Sequence, residues 1–149
     1  MLPVTGSGLA NLVHLFKAEL RYEDGLPAVV AVDDRGDLVG SGTGRVAGPR
    51  LNGTLRWSNF EQVFDDHCRL KVTGVIETVD GAHIRFDSHG FALPPRAGAT
   101  WTVAAAVRFT TDDQRYAWLQ SVPATWQGEF DEATATARYR AFRPGERTS

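Results

Sequence analysis

Apolar and polar residues alternate with period two along most of this chain. In "HLFKAELRY", Phe16, Ala18, Leu20 and Tyr22 fall on one face and Lys17, Glu19 and Arg21 on the other. "AHIRFDSH" sets Ala82, Ile84 and Phe86 against His83, Arg85 and Asp87, and "WTVAAAVRF" gathers Trp101, Val103, Ala105, Val107 and Phe109. "TATARYRAF" repeats the pattern with Ala135, Ala137, Tyr139 and Ala141. Alternation of this kind marks strands with one buried and one solvated face, as in antiparallel sheets. Further strands are predicted over 28–32, 38–46, 51–57, 68–78 and 117–126, and one short helical turn over 58–66.

Turn-forming residues fall between these segments: "EDG" at 23–25, "DDRGD" at 33–37, "VDG" at 79–81 and "GEFDEA" at 128–133. No repeat, low-complexity tract or Pro-rich linker divides the chain. The expected organisation is an arm over 1–14, one β domain over 15–142 and a tail over 143–149. A set of hairpin-linked strands in one small domain must dispose of its edges, and closure into a barrel does so. A two-sheet sandwich carries the same alternation, so periodicity alone does not separate the two.

Composition narrows the function classes. The 149 residues carry a formal net charge of −2, which supplies neither the cationic footprint of a nucleic-acid binder nor a polybasic membrane patch. Neither nucleic acid nor membrane is an expected partner. Cys68 is the single cysteine, which excludes an internal disulfide and a multi-cysteine metal site. The first residues, "MLPVTGSGLANLVHLF", lack a cationic start followed by a long apolar run, so a cytoplasmic location is the expectation.

Three stretches taken in order, "GTGRVAGPRLNGTL" (42–55), "IETVDGAHIRFDSHGF" (76–91) and "VRFTTDDQRYAWLQSV" (107–122), resemble the domain-of-unknown-function 3237 family. Its members show a Gly-Pro-Arg-Leu-x-Gly segment, an Asp-Gly-Ala hairpin and an Arg-Phe-x-Thr…Tyr-Ala-Trp-Leu segment. The resemblance runs from Leu15 to Phe142. It implies a calycin-like antiparallel β-barrel of about eight strands, often oligomeric, with no general activity established. The chain departs from the family pattern in three places. "RWSNFEQ" (56–62) replaces a Pro-Gly-Gly-x-Asp-Trp loop, Lys71, Thr73 and Gly74 stand where an Asp-x-Arg-Tyr run is usual, and Gln120 replaces an Asn.

Several residue groups bear candidate chemistry. On a strand, "RYAWLQSV" would put Tyr116, Trp118, Gln120 and Val122 on one face, where they either fasten the barrel or furnish its lumen. A buried Gln120 amide would then need a water, a neighbour or a ligand as partner. Gly48-Pro49 directs Arg50, either to an anionic ligand or to an acid such as Asp112 or Asp113. "FEQVFDDHCRL" (60–70) sets Glu61, Asp65, Asp66, His67 and Cys68 close together, and an acid beside His67 suits general base chemistry. The competing reading is a polar loop leading into a strand. No metal or other cofactor is expected, because no His, Cys and carboxylate set has ligand spacing. His83, Arg85, Asp87 and His89 share the face opposite an apolar one and are expected at solvent.

Two functions are compatible with this pattern. One is a cofactor-independent cyclase, isomerase or lyase acting on a small apolar organic ligand in a lumen walled by Trp57, Trp101, Trp118 and Trp126. Tyr116, Gln120, Arg50 and His67 are its candidate catalytic groups. The other is a non-catalytic binding or assembly barrel. The small residues Thr102, Ala104 and Ala106, on the face opposite the lumen, suggest a homodimer.

Overall fold

A computed structural model describes residues 11–23, 28–30 and 37–145. The strands are β1 (Leu12–Tyr22), β2 (Ala28–Val30), β3 (Asp37–Ala47), β4 (Asn52–Val63), β5 (Cys68–Thr78), β6 (His83–Leu93), β7 (Thr100–Thr110), β8 (Ala124–Asp131) and β9 (Thr136–Pro144). All pairings are antiparallel, in the order β1-β9-β8-β7-β6-β5-β4-β3-β2. A further pairing of β1 with β3 closes the ring, giving an eight-stranded barrel with β2 as an extension on β3. β1 takes the Gly42–Ala47 half of β3 and β2 takes Asp37–Val39.

The alternating faces behave as their patterns require. Phe16, Ala18, Leu20, Ile84, Phe86, Val103, Val107 and Phe109 are buried, while their polar neighbours face out. His83, Arg85 and His89 lie on the outer face. Closing the ring demands a close approach of β1 to β3, and Gly42 provides it. A Cβ there would overlap the Arg21 carbonyl and the indole ring of Trp57.

The barrel interior is divided along its axis. At one end Phe16, Leu51, Leu55, Ile76, Ile84 and Trp126 are almost wholly withdrawn from water. Each such side chain contributes about 1.5–3 kcal/mol on burial. A 3-10 helix, Gln114–Ser121, closes this end by inserting Tyr116 and the fully buried Leu119. The other end, where β1 stops and β5 starts, is left as a cup.

Two segments differ from the sequence expectation. The 117–126 strand is instead the end of the 3-10 helix followed by β8. Asp113 caps the helix by accepting a hydrogen bond from the Arg115 backbone at 2.9 Å, and burial of Tyr116 and Leu119 follows a spacing of three. The helical turn over 58–66 is instead the continuation of β4 to Val63, with Trp57 and Asn59 inward and Ser58 and Phe60 outward. The β8–β9 turn falls at 132–135, later than "GEFDEA" suggests. β1 begins at Leu12 and β9 ends at Pro144, so the barrel extends a little beyond 15–142. The "EDG" and "DDRGD" turns and residues 31–32 of the predicted second strand lie wholly or mostly outside the described residues.

Candidate functional site

The cup encloses a cavity of about 320 Å³, the size of site that takes a small organic ligand. Its wall is apolar and aromatic: Leu20, Trp57, Leu70, Val72, Val103 and Tyr139 are among the residues that face it. Small residues, Ala92 and Ala137, stand at lumen positions where larger ones would fill the space. Trp57 is held by its indole N–H, which donates to the Thr43 carbonyl at 3.0 Å, and its ring meets Tyr22 edge-on at 4.6 Å.

Three polar groups meet inside this wall. The Asn59 amide donates to the Glu61 carboxyl at 2.6 Å and to the Tyr22 hydroxyl at 2.9 Å. Tyr22 in turn donates to Glu61 at 3.3 Å. Asn59 is buried, and its Oδ1 has no hydrogen-bond partner. Burial lifts the Glu61 pKa above the ordinary carboxylate range, against the hydrogen bonds of Asn59 and Tyr22, which favour the charged form. Burial also raises the Tyr22 and Tyr139 phenols, with the Glu61 charge adding to both shifts. The Cys68 thiol faces the cavity and is pushed up to about 11 by burial and by Glu61. Such a thiol is protonated at neutral pH and a poor nucleophile. A carboxyl that burial holds above the usual range, in an apolar cup, is suited to giving and taking a proton.

The sequence-predicted residues divide between the two ends of the barrel. Trp57 and Trp101 line the cavity, and the Trp101 indole donates to Glu132 at 2.5 Å. Trp126 lies deeper in the packed core, stacked on Tyr139 at 5.1 Å, and does not reach the cavity. Tyr116, Trp118, Gln120 and Arg50 belong to the closed end. Gln120 is exposed and Trp118 half-buried, because winding the segment into a 3-10 helix removes the alternation that would have aimed both inward. Arg50 pairs with neither Asp112 nor Asp113. Its guanidinium lies over the Trp118 ring at 3.8 Å from the centroid, and Asp113 is engaged by Arg115 at 2.8 Å. Tyr116 donates to Asp80 at 2.8 Å, tying the helix to the β5–β6 turn.

His67 sits in the turn between β4 and β5, bonded to Asp66 at 2.6 Å and stacked on Phe64, outside the cavity lining. Asp66 and His67 therefore meet, while Cys68 turns inward at the start of β5. Among the described residues, no three His, Cys, Asp or Glu side chains converge as a metal site would require. The alternation of β1 points Tyr22 inward, whereas Asn59 stands out by no motif and Glu61 only as a member of the 60–70 acidic cluster. The only signal for both is position: Asn59 and Glu61 keep step with the inward Trp57 and Val63, although their polarity breaks the apolar pattern.

Residues 10–143 match the family described as "Protein of unknown function (DUF3237)". The chain belongs to that family. A protein of unknown function from Clostridium acetobutylicum ATCC 824 shares its fold at 17% identity and a TM-score of 0.79, over 91% of this chain and 97% of that one. A β-barrel-like protein from Acinetobacter baumannii AYE matches at 16% identity and 0.78, over 90% and 95% of the two chains. An enzyme from Penicillium herquei matches at 24% identity and 0.70, over 91% and 94%. These likenesses establish the fold. No curated protein matches the chain. Among the described residues, no helix is long and apolar enough to cross a membrane.

Proposed function

We propose that this DUF3237 barrel handles a small, largely apolar organic molecule in its cup and acts on it by proton transfer, without a cofactor. A cyclisation, isomerisation or elimination is the class of reaction this chemistry serves. The observation that carries the reading is Glu61, a carboxyl of raised pKa placed with Asn59 and Tyr22 in an otherwise apolar cavity of about 320 Å³. Glu61 moves the proton, while Tyr22 and the free Asn59 Oδ1 orient the polar atoms of the substrate. An apolar wall keeps bulk water from competing for those atoms. That one structural neighbour is described as an enzyme is compatible with this reading.

The test begins with native mass spectrometry of the purified protein after exposure to cell extract, followed by a soaked crystal structure with the retained molecule. Density in the cup and conversion that collapses in Glu61→Gln, with binding preserved, are the expected results. Binding with no conversion by the wild-type protein would instead favour a non-catalytic carrier.

Self-association as a homodimer is proposed on a separate observation. Phe91 and Leu93 are each 54% exposed and stand in register with Ala104 and Thr102 on the outer face of β6–β7. Large apolar side chains beside a flat row of small ones suit a self-complementary contact. Sedimentation at micromolar concentration is expected to give twice the 16.3 kDa chain mass. Phe91→Glu should return it to a monomer.

A further inference from the structure

We infer that the molecule taken into the cup carries a protonated amine on an apolar body, held by Glu61 and Asn59 within a cage of aromatic rings. The inference rests on the ligand-binding reading above and names the class of ligand.

The charge inventory of the wall comes first. The chain has 16 Lys and Arg residues, yet among the described residues none of them, and no His, lines the cavity. Besides the Tyr22 and Tyr139 phenols and the Cys68 thiol, whose protons are held, its ionisable groups are two carboxyls, Glu61 inside and the exposed Glu132 beside Trp101. An anionic ligand would lie against the ionised form of Glu61 with no cation among the described residues of the wall to meet it, which is costly in an apolar site. A cationic ligand meets the reverse situation.

The aromatic content points the same way. Tyr22, Trp57, Trp101 and Tyr139 all line the cup. The faces of such rings attract a cation, most strongly where water is excluded. Rings alone are equally suited to a neutral apolar ligand, so the decision falls to the polar atoms. Asn59 spends its amide hydrogens on Tyr22 and Glu61, leaving its buried Oδ1 as an acceptor without a donor. Glu61 is an acceptor once ionised. These two acceptors call for a hydrogen-bond donor bearing positive charge, and an ammonium N–H is both.

The same arrangement dictates how affinity depends on pH. The groups facing Glu61 are Tyr22 from β1, Cys68 from β5 and Tyr139 from β9, with Asn59 on its own strand and Leu38 opposite it on β3. Asp37, next to Leu38, lies against the outer groove with Phe60. The phenols and the thiol keep their protons at neutral pH, so among the groups inside the cup Glu61 is the one that changes charge. Raising the pH ionises Glu61 and strengthens the hold on an amine. Acid neutralises it and weakens that hold.

Three probes of one shape separate the possibilities: phenethylamine, propylbenzene and hydrocinnamate, which are cationic, neutral and anionic. Binding is read from the indole N–H resonances of Trp57 and Trp101. Phenethylamine is expected to bind roughly tenfold tighter than propylbenzene at about pH 8, the scale of a desolvated cation–aromatic and charge contact. The preference should shrink as the pH is lowered and Glu61 takes up its proton, and in Glu61→Gln, with propylbenzene affinity unchanged. Glu132→Gln gives a second, rim-sited variant with a smaller loss if Glu61→Gln does not fold. Equal binding of the amine and propylbenzene, or tightest binding of hydrocinnamate, would overturn the amine assignment while leaving the cup a ligand site. Failure of all three to perturb the indoles would overturn both readings.

Discussion

Asn59 and Glu61 stand two residues apart on β4, and the amide of one donates to the carboxyl of the other at 2.6 Å inside the barrel. The contact is possible because alternate residues of a strand share a face. It places a carboxyl where burial opposes its ionisation.

A raised carboxyl pKa in the folded protein has a defined sign. The stability it confers is fully present below the pKa of the unfolded chain and is lost as pH rises through the folded value. Wild-type protein is therefore expected to lose stability relative to Glu61→Gln as pH climbs from the ordinary carboxylate range towards neutrality. Denaturant unfolding of both proteins across that range checks this, since the remaining titrating groups are common to the two. A constant difference at all pH values would show that Glu61 is not perturbed.

The closed end makes a different prediction. Leu119 is fully buried by the 3-10 helix, so Leu119→Ala should cost about 3 kcal/mol. Gln120 is exposed, and its amide oxygen accepts only a long hydrogen bond, 3.4 Å, from the Thr111 backbone N–H, so Gln120→Leu should cost no more than about 1 kcal/mol and leave ligand binding in the cup untouched. Equilibrium unfolding and the probe titration measure the two effects. The acids that tie down this helix are shifted oppositely to Glu61. Hydrogen bonds from Thr78 and Tyr116 lower Asp80, and Arg115 holds Asp113 at about 2. Their contribution is present above the unfolded carboxylate pKa and fades as pH falls through the folded values. Tyr116→Phe should flatten that acid limb of the stability profile.

Ala135 adopts a left-handed conformation, φ 51°, in the turn between β8 and β9. A side chain at such a position carries a penalty of about 1–2 kcal/mol, and glycine carries none but has more freedom to lose on folding. Ala135→Gly should accordingly stabilise the protein by a net of about 0.5–1 kcal/mol. Gly42→Ala should do the opposite and disrupt the β1–β3 seam, because its methyl group would occupy the space of the Arg21 carbonyl. The shift of the unfolding midpoint, and its sign, decides each case.

The alternation of β1, β6, β7 and β9 was enough to read most of the barrel, because one face of each strand meets the core and the other meets water. The site was harder to read for the same reason. Asn59 and Glu61 occupy inward positions that the fold alone would fill with apolar residues, so they interrupt the pattern and make β4 resemble a polar turn. Local rules tend to fail where a binding or catalytic demand has displaced a packing one. At "RYAWLQSV" the period that governs burial is three, not two. Tyr116, Leu119 and Val122 recur every three residues behind an Asp113 cap, a short 3-10 signal masked by the chance alternation of Tyr116, Trp118 and Gln120. Ring closure depends on the β1–β3 register, which involves residues distant in sequence and leaves only a trace, the glycines of β3.

If the cup is the working site, filling it should abolish binding without unfolding the barrel. Ala92 lines the cavity beside Cys68 in the β5–β6 register and is itself buried. Ala92→Leu adds apolar volume where about 320 Å³ stands free, so it avoids the overpacking that the same change causes in a filled core. The variant should unfold at a midpoint equal to or above that of the wild type, because added apolar surface is removed from water. Alkylation of Cys68 provides an independent reading of access. The thiol, raised to about 11, should react slowly with a small uncharged maleimide in the wild-type protein and more slowly still in Ala92→Leu. Retained binding with retarded alkylation would move the ligand site out of the cup, whereas loss of both at undiminished stability would place it there.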